Sequence, residues 1–258
     1  MSRLFKATVI ENRLLTENHY LLTLQPSQKI QKPEPGNFFM LSVNNGHDPL
    51  LKRPFSIHRY INGDIQILYR VVGKGTRILS NCRTGSTLET LGPLGNKFPA
   101  PSKKSSIILV AGGLGIAPLF YLAEKLKKRE PSFFYGARTA DEILLNAELK
   151  SLGVTLNIAT DDGSLGKKGN IITLLNKFLL HKKESCENPI LYACGPEPML
   201  RALSHLSHKL DLKGYVSVEQ HMACGIGTCL GCIVKTHNGH KRVCKEGPVF
   251  KINDIVWD

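Results

Sequence analysis

The last 35 residues of the chain hold four cysteines, Cys224, Cys229, Cys232 and Cys244, spaced C-x4-C-x2-C-x11-C. A tail this short cannot close a hydrophobic core of its own, so a metal centre is the natural source of its stability. The first three cysteines carry the plant-type [2Fe–2S] spacing, with a distant fourth. Gly225, Gly227, Thr228 and Gly231 stand between them. Small residues, and residues free in φ, let the backbone wrap closely around a cluster and turn amide N–H groups toward its sulfurs. Structural zinc is the rival reading. Zinc sites usually pair two short knuckles, and this segment has a single C-x2-C. The whole chain has seven cysteines, an odd number, and a crowd of this kind in a cytosolic protein reads as metal ligands before it reads as disulfides.

The remaining composition excludes more than it specifies. With 258 residues the chain is long enough for two domains, and 42% hydrophobic against 21% charged residues marks a folded protein. No run approaches the ~20 apolar residues that cross a bilayer, and the N-terminus has no signal-type apolar stretch. A soluble, cytoplasmic protein with no membrane insertion is expected. The net charge of +13 is spread along the chain without a basic tail. It suits anionic nucleotides or an acidic partner, and does not call for a nucleic-acid surface.

Three regions differ in pattern. Residues 1–100 alternate short runs rich in β-branched and aromatic residues with turn signals: Ala7–Ile10, Tyr20–Leu24, Phe38–Val43, Ile65–Val72 and Thr87–Leu91, with one short helix at Thr76–Asn81. That reads as an antiparallel sandwich or barrel. Residues 101–220 carry a βαβ rhythm. The continuous apolar run Ile107–Ala111 is expected of a strand buried on both faces, and Leu119, Leu122 and Leu126 follow it at helical spacing. Further strands at 133–135, 154–159, 190–193 and 215–218, with helices at 171–180 and 198–209, predict a doubly wound parallel sheet. Pro99–Ser102 reads as the linker, and residues 221–258 form the cysteine segment.

Three further motifs carry chemistry. Gly112-Gly113-Leu114-Gly115-Ile116-Ala117-Pro118 follows a predicted strand and opens a helix, where a phosphate finds free N–H groups. A proline in the first helical turn is tolerated there. A plain tight turn is the alternative. Arg53-Pro54-Phe55-Ser56, with Leu68-Tyr69-Arg70 and Gly73-Lys74-Gly75-Thr76 downstream, offers a guanidinium able to grip phosphate bidentately. In that reading Thr76 is the N-cap of a helix facing a pyrophosphate. A basic loop on a barrel is the bland alternative. Cys194-Gly195-Pro196 ends a predicted strand, where open α/β sheets bind ligands, although Cys194 alone reads as a small buried hydrophobe.

Taken in order, RPFS, GGLGIAP and CGPEPM resemble the ferredoxin–NADP reductase family. EQHMACGIGTCLGCIVKT, RVCKEGPVF, YRVVGKGT and LGPLGNKF narrow the resemblance to the electron-transfer subunits of NAD-dependent dihydroorotate dehydrogenase, type B, over essentially the whole chain. The resemblance implies a Greek-key β-barrel flavin domain over 1–100, a doubly wound NAD-binding domain over 101–220, and an iron–sulfur segment over 221–258. It implies FAD at Arg53, Pro54, Phe55, Ser56, Leu68, Tyr69, Arg70, Gly75 and Thr76. It places NAD at Gly112, Gly113, Gly115, Pro118, Cys194, Gly195 and Pro196, and one [2Fe–2S] cluster on Cys224, Cys229, Cys232 and Cys244. It also implies an FMN-containing catalytic partner that oxidises dihydroorotate in pyrimidine synthesis, with two copies of each chain.

The cofactor set is chemically consistent without the family. Nicotinamide exchanges two electrons as hydride, the cluster takes one at a time, and a flavin does both. No acid–base residue is called for these steps. Reductase subunits serving ferredoxin, a hydrogenase or sulfur reduction share the same motif groups. A non-catalytic redox sensor is the alternative from another class. Asp161 and Asp162 after a nucleotide-domain strand favour NADH over NADPH, because carboxylates repel a 2′-phosphate; Arg138 argues the other way. His221, beside the cysteine loop, and Lys127–Arg129 read as solvated or structural groups.

Overall fold

Alternation of buried and exposed side chains builds the first sheet. In β1 (Arg3–Thr16) Phe5, Ala7 and Val9 point inward while their neighbours face water. It is followed by β2 (His19–Pro26), β3 (Phe38–Leu41), β4 (Arg53–Ser56), β5 (Arg59–Ile61), β6 (Asp64–Arg70), α1 (Lys74–Ser80) and β7 (Thr87–Leu94). The computed structural model describes residues 2–44, 46, 48–181 and 188–257, so Cys186 lies outside the described residues. The strand order is β4-β3-β7-β1-β2-β6-β5, antiparallel throughout. Insertion of β7 between β3 and β1 breaks the simple meander. The sheet curls until the ring of Phe55 on β4 meets the edge of Tyr69 on β6, centroids 5.8 Å apart. This curled, barrel-like sheet matches the expected architecture.

Two short strands, β4 and β5, escape the sequence pattern. β4 is an edge strand, which is why it tolerates Pro54 opposite Met40. The β5–β6 turn uses Asn62 (φ 51°) and Gly63 (φ 98°), a two-residue hairpin of the kind that demands positive φ.

The second sheet rests on a strand with no exposed residue, β8 (Ile107–Gly112). After it come α2 (Ile116–Leu126), β9 (Ser132–Ala137), α3 (Asn146–Ser151), β10 (Thr155–Thr160), β11 (Lys167–Lys168), α4 (Ile171–His181), β12 (Ile190–Cys194), α5 (Glu197–Lys209) and β13 (Lys213–Ser217). The chain ends with β14 (Ile233–Thr236), β15 (Gly239–Arg242) and β16 (Val249–Lys251). The order is β11-β10-β9-β8-β12-β13-β16, parallel except for antiparallel β16. The connections leave β8 in opposite directions across the sheet, so the β8/β12 boundary is its topological switch point. α3, β11 and the last three strands are additions to the predicted elements.

One compact unit comprises Met1–Lys97, Glu219–Val234 and His240–Pro248; the other comprises Phe98–Val218, Lys235–Gly239 and Val249–Asp258. All four cysteines of the spaced motif fall in the first unit, while β16 completes the second sheet. Among the described residues, no helix is long and apolar enough to cross a membrane.

Candidate functional site

In the first unit, the short helix α1 begins two residues earlier than its sequence suggested. Its N-cap is Gly73, not Thr76. Thr76 occupies the third helical position, and its Oγ1 accepts the N–H groups of Val72 (2.9 Å) and Gly73 (3.2 Å) while donating to Gly73 O at 3.1 Å. The hydroxyl closes the helix start by reaching backwards, a task open to a residue three places inside the helix. Beside it stands Arg53. Its Nη1 donates to Leu51 O at 2.6 Å, and its Nε lies 3.0 Å from where a Cβ at Gly75 would stand. Glycine at 75 therefore lets the guanidinium lie flat on the helix start. Pro54 and Ser56 are half-buried, Phe55 and Leu68 are buried, and Arg70 is exposed.

Tyr69 is different. Its ring is buried, stacked on Tyr20, and its phenol donates to Asn12 Oδ1 at 3.0 Å. Burial drives the phenol pKa far above its usual value. Asn12 Nδ2 donates to Leu79 O (2.8 Å) and Cys82 O (3.3 Å), capping the far end of α1. Sequence reasoning missed Asn12 because it sits in the middle of an ordinary strand. It also missed Glu219. Desolvation raises that carboxyl and Arg70 draws it back down, although the residue keeps exposed surface.

In the second unit the two predicted nucleotide loops meet at the switch point. Gly112–Gly115 leaves β8 and Cys194–Pro196 leaves β12, adjacent strands in register. A Cβ at Gly112 would strike Met199 Sδ at 2.7 Å, and one at Gly195 would strike the Gly112 N–H nitrogen at 2.9 Å. Gly113 (φ 50°) has no heavy atom within 4 Å on its side-chain face, so its backbone is open. Tyr135, buried on β9, steadies this turn by donating to Gly113 O at 3.1 Å; its aromatic run shows only a core strand in the sequence. Pro118 is the third residue of α2 and Cys194 is fully buried. A backbone laid bare at the end of β8 fits a dinucleotide's phosphates.

The four thiols stand as two pairs. The Cys224 and Cys229 thiols share a hydrogen bond, and Cys244 N–H points at Cys232 Sγ (3.4 Å). Cys224 is penalised by desolvation. Yet the Thr228 hydroxyl, the backbone N–H groups of Cys229 and Ile226, and the Cys229 thiol outweigh it and lower its pKa to about 5. Cys244 is raised to about 12 by desolvation and by its neighbour Cys232. Among the described residues no three His, Cys, Asp or Glu side chains converge on a single ion position. Two pairs, each for one iron, with N–H groups aimed at sulfur, suit a two-iron cluster. The loop lies directly on the first sheet: a Cβ at Gly225 would fall 2.6 Å from Met40 Cγ.

Profiles of known families match the same segments. The iron–sulfur cluster binding domain of dihydroorotate dehydrogenase B matches residues 219–256, and the oxidoreductase NAD-binding domain matches residues 109–205. The chain is 37% identical to the dihydroorotate dehydrogenase B (NAD+) electron transfer subunit of Desulforamulus reducens, over all of both chains. It is 38% identical to that of Caldanaerobacter subterraneus subsp. tengcongensis, over 98% of each. The chain belongs to the dihydroorotate dehydrogenase B electron transfer subunit family. A solved NADH-dependent reduced ferredoxin–NADP oxidoreductase superposes on this electron transfer subunit with a TM-score of 0.84 at 26% identity, covering 98% of this chain and 90% of that one. The cytochrome b5 reductase domain of Ulva prolifera nitrate reductase shares the fold, with a TM-score of 0.66 at 19% identity over 81% of this chain and 94% of that one. The subunit thus carries its family's iron–sulfur and NAD-binding segments on a reductase fold.

Proposed function

We propose that this chain passes electrons between NAD and the FMN of a dihydroorotate dehydrogenase catalytic subunit, using FAD and one [2Fe–2S] cluster, in an assembly with two copies of each chain. The observation that carries the reading is the pairing of the four thiols in one unit while the other presents an open glycine turn at its switch point. When bound, nicotinamide exchanges a hydride, flavin divides the pair into single electrons, and the cluster conveys them singly.

The chain's own residues supply placement. Cys224, Cys229, Cys232 and Cys244 hold the cluster. Arg53, Pro54, Phe55, Ser56, Leu68, Arg70, Gly75 and Thr76 line the flavin segment, with Tyr69 behind them. Gly112–Gly115, Pro118 and Cys194–Pro196 receive the nicotinamide nucleotide. The rim of the cluster loop supports an exit to another protein. Cys229 is exposed, and Ile226, Leu230 and Ile233 expose 52%, 57% and 45% of their surface beside it. Leu230 and Ile233 also line a groove of about 420 Å³ with His240, Lys241 and Arg242. Apolar side chains gathered in this way mark an interaction surface.

Reconstitution tests the proposal. The isolated chain should reduce dyes with NADH and make no orotate. Adding the FMN-containing partner should create NAD-dependent orotate formation, and Cys229→Ser should impair that step more than flavin reduction by NADH. A cognate partner that neither binds nor gains NAD-dependence refutes it.

A further inference from the structure

Arg242, at the end of β15, joins the two halves of the cysteine segment. Its Nη1 donates to Gly227 O at 2.8 Å, inside the loop between Cys224 and Cys229. Its Nε donates to Glu246 Oε2 at 3.0 Å and its Nη2 donates to Glu246 Oε1. Glu246 Oε2 also accepts the backbone N–H of Arg242 at 2.7 Å. One carboxylate therefore grips both the main chain and the fork of the same arginine, which leaves its guanidinium a single orientation. Both side chains are half-buried, and the guanidinium lies on the side of the segment that carries Cys232 and Cys244. The loop passes close to the Cys244 turn: a Cβ at Gly227 would meet Lys245 Cδ at 2.7 Å.

We propose that Arg242, aligned by Glu246, is a positioning residue that straps the Cys224–Cys229 loop to the Cys244 turn and holds a fixed positive charge beside the cluster, raising its reduction potential. The proposal rests on the reading of the four cysteines as [2Fe–2S] ligands. Reduction adds one electron to a centre already made anionic by four thiolates. A fixed cation in partly desolvated surroundings stabilises that added charge more than bulk water would. Glu246 orients the cation and offsets part of its field. The two partners therefore have opposite electrostatic effects, which a purely structural strap would not have.

The experiment uses the full-length, flavin-loaded chain purified without oxygen. Iron, acid-labile sulfide, the electron paramagnetic resonance line of the dithionite-reduced cluster and its midpoint potential are measured in wild type, Arg242→Gln, Arg242→Lys and Glu246→Gln. Wild type should hold about two irons and two sulfides per chain. If it does not, the cluster reading itself fails and the proposal falls with it. Arg242→Gln should shift the cluster potential downward and change its line shape while the flavin potential stays in place. Arg242→Lys should return the potential toward wild type, because it keeps the charge. Glu246→Gln should shift the potential upward. Wild-type potential and line shape in Arg242→Gln overturn the proposal. So does a shift of the same sign in Arg242→Gln and Glu246→Gln. Should Arg242→Gln fail to assemble a cluster, the opposed shifts of Arg242→Lys and Glu246→Gln decide: an upward shift in Glu246→Gln with a near-wild-type Arg242→Lys upholds the charge, and any other result overturns it.

Discussion

The carbonyl oxygen of Cys194 lies 1.9 Å from the point where a Cβ at Gly115 would stand. Gly115 has a φ of −58°, which any residue adopts, so space alone demands glycine there. Gly113 is the converse: its φ is 50° and its side-chain face is open. Gly115→Ala must part the β8 turn from the end of β12, and should cost more than about 3 kcal/mol, with loss of NADH binding. Gly113→Ala should cost about 1–2 kcal/mol for the left-handed backbone and keep the nucleotide loops in register. Thermal unfolding and NADH titration of the two variants check this. Equal losses would show that the glycines are not divided in this way.

Arg53 and Gly75 make a second such pair. The guanidinium rests where a side chain at 75 would be. Arg53→Ala should release FAD, or weaken its binding by at least tenfold, while the fold survives. Gly75→Val should do the same by displacing the arginine. Flavin absorbance per chain after gel filtration is the readout, and full occupancy in Arg53→Ala would remove Arg53 from the site.

The sheet architecture was legible because its signals are local. Runs rich in β-branched and aromatic residues mark β1 and β2, and the continuous apolar run marks β8. What stayed hidden depends on long-range contacts. LGPLGNKF and RVCKEGPVF are only family-like strings in the sequence. In the structure Asn96 N–H donates to Gly247 O at 2.7 Å, and its side chain donates to Glu246 O at 3.0 Å. The turn after β7 thus anchors the cysteine segment through residues 150 apart. Thr76 was misplaced by the same limit: a threonine near a helix start looks alike at the cap and three residues inside it. The thiol spacing was visible, but Arg242 was not, since nothing local distinguishes it from a solvated arginine.

Tyr69 separates a structural role from a cofactor contact. Its phenol is committed to Asn12, which caps α1. Tyr69→Phe should lose about 1 kcal/mol of stability and retain FAD. Asn12→Leu should lose about 1–3 kcal/mol, because it strips the donor from the helix-end carbonyls and leaves the phenol without its acceptor. Denaturant unfolding measures both. FAD release by Tyr69→Phe would mean that the phenol itself serves the flavin.

Nucleotide choice turns on whether a cation waits for a 2′-phosphate. Arg138 follows β9, the position from which a basic side chain would reach one. It is engaged, however. Its Nε donates to Glu142 Oε1 at 3.0 Å, its Nη2 donates to the same oxygen, and its backbone N–H donates to Glu142 Oε2 at 3.2 Å. After β10, Asp162 Oδ1 accepts the backbone N–H (2.9 Å) and hydroxyl (2.6 Å) of Ser164. These bonds hold the Asp162 carboxyl below its usual pKa, so it stays anionic at neutral pH and repels a phosphate while remaining able to accept a ribose hydroxyl. NADH should therefore be preferred in kcat/KM by at least about tenfold, roughly 1.4 kcal/mol. Glu142→Gln removes the anion that occupies Arg138, and should narrow the preference by improving NADPH while leaving NADH nearly unchanged. Asp162→Asn should narrow it further by removing the repulsion. Steady-state diaphorase assays with both nucleotides measure these ratios; a wild-type enzyme that uses NADPH as well as NADH would show that neither the ion pair nor the carboxylate governs the choice.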